Sequence, residues 1–325
     1  MLRKLIFILL AIGLLLTGCA PASAPTEAPA PVQTEIPAPT ATQASTLLTF
    51  TDGLGREVTL TALPSRIVSL APSNTEILFA VGAGDKIIAR DSYSDYPPEA
   101  LEIPDLGSGY PSFDVEAIIA LEPDLVLVSA LMPPEQIKSM EERGLTVFQV
   151  PNPQTLDDLY ANLEQVGRLT GNESEAAALN ASLRQRVETV QAKLQGITER
   201  PLVFYELDAS QDANAPWTSG PGTFQDMLIE MAGGRNIGAV LQGGWAQISL
   251  EELLSQDPDV ILLGDYLYGG VTPEQVAARP GWDALTAVKN GKVFTFDDNL
   301  VSRPGPRLVD GLEALAKLLH PDLFE

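Results

Sequence analysis

One histidine and one cysteine bound the reaction chemistry this chain can carry. His320 lies five residues from the C-terminus, in LLHPDLFE, where it reads as a surface histidine ending a helix rather than a catalytic base. Cys19 follows an apolar leader, so it is no part of a folded core. With no second histidine and no thiol in the body, the chain can assemble neither a Ser-His-Asp relay, a Cys-His pair nor a histidine-rich metal centre. GxSxG, GxxxxGK[ST] and GxGxxG are absent. Paired carboxylates are conceivable among 43 acidic residues, but no spacing sets two together. The reading is a non-enzyme, with no catalytic residue, no resident cofactor and no metal site.

What remains is recognition chemistry. Tyr93, Tyr96, Tyr110 and Trp245 sit in loops rich in Gly, Pro and Ser, where an aromatic face with a polar tip suits a flat, partly apolar ligand. Tyr93 and Tyr96 follow the strand KIIAR, and loops at strand C-terminal ends face the crevice of an α/β sheet. Trp217, Tyr266 and Tyr268 are evenly balanced between ligand contact and core filling, whereas Trp282, at a Pro-Gly-Trp helix start, reads as packing. Arg303, in SRPGPR, either meets an amide, carboxylate or phosphate of a ligand or forms a surface ion pair. Arg307 falls on the last helix and serves structure.

The ends set the compartment. Arg3 and Lys4 precede the apolar run LIFILLAIGLLL at 5–16, a secretory signal peptide too short for a permanent membrane span. Leu16-Thr17-Gly18-Cys19 resembles a bacterial lipobox, which makes Cys19 the lipid attachment point. Residues 20–46 are almost purely Ala, Pro, Thr and Ser with a few Gln and Glu, a composition that buries too little to fold and serves as an extended stalk. A formal charge of −23 argues against nucleic acid as a partner.

From Leu47 onward, strands alternate with helices. RIVSLA at 66–71, KIIAR at 86–90, DLVLVS at 124–129 and LTVFQV at 145–150 are strands, with helices at about 74–81, 115–121 and 134–143; Phe50 to Leu60 is a hairpin turning at DGLG. Residues 155–194 are helical with a break at Gly171-Asn172. A second α/β half starts with LVFYEL after Pro201 and closes with a helix from about Pro306 to Leu319. DVEAIIALEPDLVLV (114–128) aligns without a gap with SLEELLSQDPDVILL (249–263), each an N-cap, a short helix, a Pro-Asp break and a buried strand. Glu116 and Glu251 occupy matching offsets. The alternation predicts two Rossmann-like α/β lobes, each a parallel-rich sheet flanked by helices, joined by one long α-helix. The boundaries are signal peptide 1–18, lipidated Cys and stalk 19–46, N-terminal lobe 47–170, linker helix 171–198 and C-terminal lobe 199–325.

RIVSLAPSNTEILFAVGAG (66–84), SYSDYPP (92–98), the first copy of the repeat, WTSG (217–220) and GGRNI (233–237), in that order, resemble the substrate-binding proteins of ABC importers whose two lobes are joined by a rigid helix. The resemblance covers the chain from about Thr49 to its end. SYSDYPP, an aromatic six residues before Glu116 and Trp245 before the second repeat look most like the cobalamin-binding branch, although the aromatic that branch tends to carry near Asn299 and Leu300 is missing. The resemblance implies an extracytoplasmic protein, anchored through Cys19 and monomeric, that captures cobalamin or a related corrinoid between its lobes and hands it to a permease dimer with its ATPase subunits. Implied ligand contacts are Tyr93, Tyr96, Tyr110, Trp217, Trp245, Tyr266 and Arg303. Glu116 and Glu251 would dock into basic pockets of the two permease subunits. The bland alternative for these carboxylates is macrodipole stabilisation in a first helical turn; the expected capping box of Ser249 with Glu252 leaves Glu251 free. A ferric siderophore or haem is the alternative ligand, and a chelatase on a similar scaffold a remote third.

Overall fold

Chain direction first reverses at Asp52, whose carboxylate accepts from the N–H groups of Leu54 and Arg56 and pairs with the Arg56 guanidinium. Strands β1 (Leu48–Thr51) and β2 (Glu57–Leu60) therefore pair antiparallel, with Phe50 opposite Val58. The computed structural model describes residues 47–109 and 112–324. The signal peptide, Cys19, the stalk and Tyr110 lie outside the described residues.

Short apolar strands then alternate with helices: β3 (Ile67–Ser69), α1 (Pro72–Ala80), β4 (Ile87–Arg90), α2 (Val115–Ala120), β5 (Leu125–Val128), α3 (Pro134–Glu141) and β6 (Val147–Gln149). They form an all-parallel sheet in the order β4-β3-β5-β6. β3, β5 and β6 are buried along their whole length, as parallel strands covered on both faces must be. A Thr155–Asp158 capping box starts α4 (Leu156–Thr170), and Gly171 ends it at φ +75°, which glycine adopts without steric cost. α5 (Glu173–Lys193) follows, a rod of roughly 30 Å at the usual rise per residue.

The second half is mixed. It comprises β7 (Leu202–Asp208), β8 (Trp217–Ser219), α6 (Phe224–Met231), β9 (Arg235–Asn236), β10 (Trp245–Gln247), α7 (Leu250–Gln256), β11 (Val260–Leu263), α8 (Tyr266–Gly269), α9 (Pro273–Ala277), α10 (Thr286–Lys289), β12 (Val293–Thr295), α11 (Asn299–Ser302) and α12 (Leu308–Leu319). The sheet order is β10-β8-β7-β11-β12, with β9 beside the start of β7. β7, β11 and β12 run parallel, and β8 and β10 add an antiparallel edge. Trp245 was expected in a loop. It stands instead on edge strand β10, opposite Ser219, because WAQ offers three backbone groups to a sheet edge left open by β8.

One apolar core runs through both halves. It joins Ile67, Leu125 and Phe148 of the first sheet to Val203, Tyr205 and Leu262 of the second, by way of α4, α5, α6 and α12. Each sheet has a separate core on its other face. α5 is tied on both sides: Arg184 pairs with Asp157 of α4 and stacks 4.1 Å over Tyr160, while Arg186 grips Asp310 and Glu313 of α12.

The two copies of the repeat turn the same kind of corner. Glu122 and Asp257 are the only non-glycine residues at positive φ among those described, at 47° and 50°, and they are equivalent positions. Two residues later, Asp124 Oδ2 accepts from the N–H groups of Ser65 and Arg66 beside β3, and Asp259 Oδ2 accepts from Leu202 N at the start of β7. The same corner thus feeds β5 and β11. Ile118 of α2 and Leu253 of α7 pack into the outer cores of their respective sheets. Glu116 stands in the first turn of α2 and Glu251 in the first turn of α7, at equivalent positions of the repeat.

A candidate ligand cleft between the two sheets

A hollow of about 360 Å³ opens where the C-terminal edges of the sheets face one another. The first half supplies the turns after β3 (Ala71 to Asn74), β5 (Ser129 to Leu131) and β6 (Val150 to Asn152). From the second half come Leu207, the start of α6 (Phe224, Gln225), Trp245 and the turn from Ser302 to Pro304. Most of the lining is apolar. Its polar groups are hydroxyls and amides, and Arg303 is its one charged residue. Among the described residues, no Asp, Glu, His, Tyr, Cys or Met belongs to it, and no cluster of acidic, histidine or cysteine side chains able to hold a metal ion occurs.

Arg303 is already engaged. Its Nη1 donates to Glu76 Oε1 at 3.2 Å and to Asp95 Oδ1 at 2.6 Å. Arg307, the cap residue of α12, donates to both Glu76 oxygens at 2.9 and 2.5 Å and lies 4.0 Å over the Tyr96 ring. Glu76 belongs to α1 and is 3 % exposed, so one buried carboxylate of the first half binds two guanidinium groups of the second. Burial alone would raise the Asp95 carboxyl, but the hydrogen bond and charge of Arg303 outweigh it and hold the group below its usual range. Arg303, expected at a ligand or in a surface pair, lines the cleft and its ion pairs with Glu76 and Asp95 are largely buried, forming with Arg307 an inter-lobe hub.

Behind Arg303, polar groups form a line with fixed direction. Tyr205, whose hydroxyl is pushed well up by burial and by Asp298, donates to Asp298 Oδ1 at 2.6 Å. Ser302 Oγ donates to the same oxygen at 2.8 Å and accepts from Gln225 Nε2 at 2.8 Å. A second acidic pair lies deeper at the same edge of the second sheet. Glu206 is held bidentate by Arg279 (2.5 and 2.8 Å), and beside it Asp265 is pushed up to about 6, by burial first and the Glu206 charge next. Asp265 Oδ2 accepts from Ala209 N, while its Oδ1 has no partner.

Of the residues singled out in the sequence, the cleft brings together Trp245, 55 % exposed, and Arg303. Tyr93 is exposed in the loop after β4 and Tyr266 is exposed on α8; neither lines the cleft. Trp217 is half-buried on β8. Tyr96 borders a different hollow of about 560 Å³, with Phe79, Leu183, Arg186 and Arg307. Tyr268 donates to Asn299 Oδ1 at 2.7 Å. Trp282 is fully buried against Phe204 and Arg279, and His320 ends α12 beside the Gly233 carbonyl. Glu116 is exposed with Arg143 3.6 Å away; Glu251 is exposed. The expected capping box of α7 is only half made. Ser249 accepts from Glu252 N, but the Glu252 carboxylate accepts from Gln256 one turn on, which shares its helix face. Asn74, Phe224 and Gln225 were not anticipated. Asn74 was findable, since it lies just past the end of a buried strand; the start of α6 carries no comparable signal.

Residues 67–300 match the family described as periplasmic binding protein. An uncharacterized ABC transporter substrate-binding lipoprotein of Bacillus subtilis, YvrC, is 34 % identical over 283 residues, covering 86 % of this chain and 87 % of its own. A cobalamin-binding protein of Halobacterium salinarum is 32 % identical over 83 % of this chain and 73 % of its own. Among solved structures, the periplasmic vitamin B12 binding protein BtuF of Vibrio cholerae superposes with a TM-score of 0.67 at 28 % identity, covering 81 % of this chain and 99 % of that one. The apo periplasmic heme-binding protein RhuT of Roseiflexus sp. RS-1 does so with 0.72 at 25 %, covering 80 % and 99 %.

Proposed function

The chain belongs to the periplasmic binding protein family, a family of ABC-transport substrate-binding proteins, and on that premise we propose that it captures cobalamin or a related corrinoid in the cleft between its sheets. The composition of the cleft carries this reading. Haem presents open axial positions that a His, Tyr, Met or Cys side chain fills, and a bare metal ion needs a cage of donors. The described lining offers neither. A corrinoid brings its own coordination sphere and asks for apolar faces and neutral hydrogen-bonding groups, which Phe224, Trp245, Asn74, Gln225 and the serines provide. Cobalamin-binding relatives at 32 % and 30 % identity support the same choice. A ferric siderophore is the alternative; an anionic chelate would have to draw Arg303 away from Glu76 and Asp95.

In this reading Cys19 carries the lipid anchor and the stalk holds the body off the membrane. Glu116 and Glu251 dock into basic pockets of the two permease subunits. Their equivalent positions in the repeat, one exposed carboxylate in the first turn of a helix in each half, support a two-point docking surface. No helix among the described residues is long and apolar enough to cross a membrane. The test is calorimetric titration of the full chain in mild detergent with cyanocobalamin, haemin and a ferric hydroxamate. Saturable heat with cyanocobalamin alone is expected; binding of haemin or the hydroxamate in its place would overturn the assignment.

A further inference from the structure

Two side chains in the cleft lack partners they ought to have. Asn74 is 1 % exposed and Gln225 3 % exposed, and both line the cleft. Asn74 Nδ2, a donor, and Gln225 Oε1, an acceptor, are buried without a hydrogen bond. Orphaned buried polar atoms are rare because each carries the full cost of lost hydration. Here there are two of opposite kind, one from each half of the molecule, in one hollow.

The polarity of Gln225 follows from the line of donors behind it. Asp298 can only accept while ionised, so the Ser302 proton is committed to it. Ser302 is then left as the acceptor for Gln225 Nε2, and the Gln225 carbonyl must be the end without a partner. The acceptor is therefore fixed by a buried carboxylate two hydrogen bonds away.

We propose that Asn74 and Gln225 form a clamp for a carboxamide of the ligand, its C=O accepting from Asn74 Nδ2 and its NH₂ donating to Gln225 Oε1. The clamp rests on the corrinoid reading and sharpens it, because the corrin rim carries carboxamide side chains whereas the haem rim carries carboxylates. A carboxylate satisfies Asn74 but sets an anionic oxygen against the Gln225 carbonyl, and an iron-bound hydroxamate or catecholate oxygen does the same. A site built to hydrogen-bond a given group rejects the analogue lacking it more sharply than any apolar pocket can. Each lobe supplies half of the clamp, so the ligand amide also bridges them.

The experiment uses the full chain, cyanocobalamin and its series of isomeric monocarboxylic acids, each with one rim amide hydrolysed. Affinities are measured by calorimetry for wild type, Asn74→Ala and Gln225→Met. At least one monoacid is expected to bind wild type about 10-fold or more weakly than cyanocobalamin, the size of one lost hydrogen bond in a desolvated site. Both variants are expected to lose affinity for cyanocobalamin by about the same factor and to bind that monoacid and the parent within about 2-fold, whatever small change in melting temperature follows from the lost Gln225–Ser302 hydrogen bond. If every monoacid binds wild type like the parent, or the variants retain full affinity, the orphaned atoms hold ordered water only and the clamp is overturned while corrinoid capture stands. Variants that melt lower yet keep the amide-to-acid ratio show a structural role and equally overturn it. Failure of wild type to bind any corrinoid removes the reading and the clamp together.

Discussion

Replacing Glu76 by Gln keeps the shape of the inter-lobe hub and removes its charge. In wild type, Glu76 meets Arg303 at 3.2 Å and Arg307 at 2.9 and 2.5 Å, with all three side chains nearly out of water. In the variant Arg303 keeps the charge of Asp95, but Arg307 loses its ion-pair partner and keeps a neutral amide oxygen and the Tyr96 ring. Removing one partner of a buried ion pair costs about 3–5 kcal/mol, since the remaining charge stays buried without its counterion. For a chain of this size that lowers the melting temperature by on the order of 10 °C. Scanning calorimetry, with urea unfolding at constant m-value as a second measure, gives the number. The control is the triple variant Glu76→Met, Arg303→Met, Arg307→Met, which removes all three charges and should recover most of the loss, because apolar replacement of a buried ion cluster is commonly neutral. A Glu76→Gln variant within about 1 kcal/mol of wild type, or a triple variant less stable than the single one, would refute the reasoning.

The acidic pair at the second sheet gives a pH signature. Asp265 is pushed up to about 6 from an ordinary value of 3.8, so between those values the folded state holds a proton that the unfolded chain releases, and stability falls as pH rises. The loss is at most about 3 kcal/mol, and Asp265→Asn should return much of it at pH 7.5 and flatten the profile, read by melting temperature against pH. Trp245→Ala should weaken ligand binding about 10- to 100-fold and change stability by less than about 0.5 kcal/mol, because the ring is exposed on an edge strand. Glu122→Gly should stabilise by about 1 kcal/mol through relief of positive φ, whereas Asp257→Gly should not, since Asp257 also accepts from Thr286 N and Oγ at 2.7 Å. Changing Glu116 and Glu251 to Lys should abolish cellular uptake while leaving the affinity measured by calorimetry within about 2-fold.

The alternation of strands and helices, the paired corners and the helix break at Gly171 were legible because each rests on local chemistry: β-branched runs, Pro-Asp turns, a glycine that reaches positive φ. The β8–β10 edge was not, as three-residue strands carry no period and Trp245 looks like any loop aromatic. Arg303 was located beside the crevice, but its partners lie more than 200 positions earlier, and a pairing at that separation leaves no trace in one sequence. The same holds for the Gln225–Ser302–Asp298 line. Aromatic side chains were the visible candidates for ligand contacts, whereas the two unpartnered amides that line the cleft, Asn74 and Gln225, carry no mark in composition.

The shared hub and the core running through both sheets also bear on what a severed molecule could do. Divided in the short connection between α4 and α5, each fragment would carry a buried charge without its counterpart, Glu76 in one and Arg303 with Arg307 in the other, and an uncovered apolar wall. Neither piece should hold a native shape by itself, yet each is the natural complement of the other. Mixing them should restore a single cooperative particle, which makes this connection a natural seam for a split sensor whose reassembly reports the captured molecule.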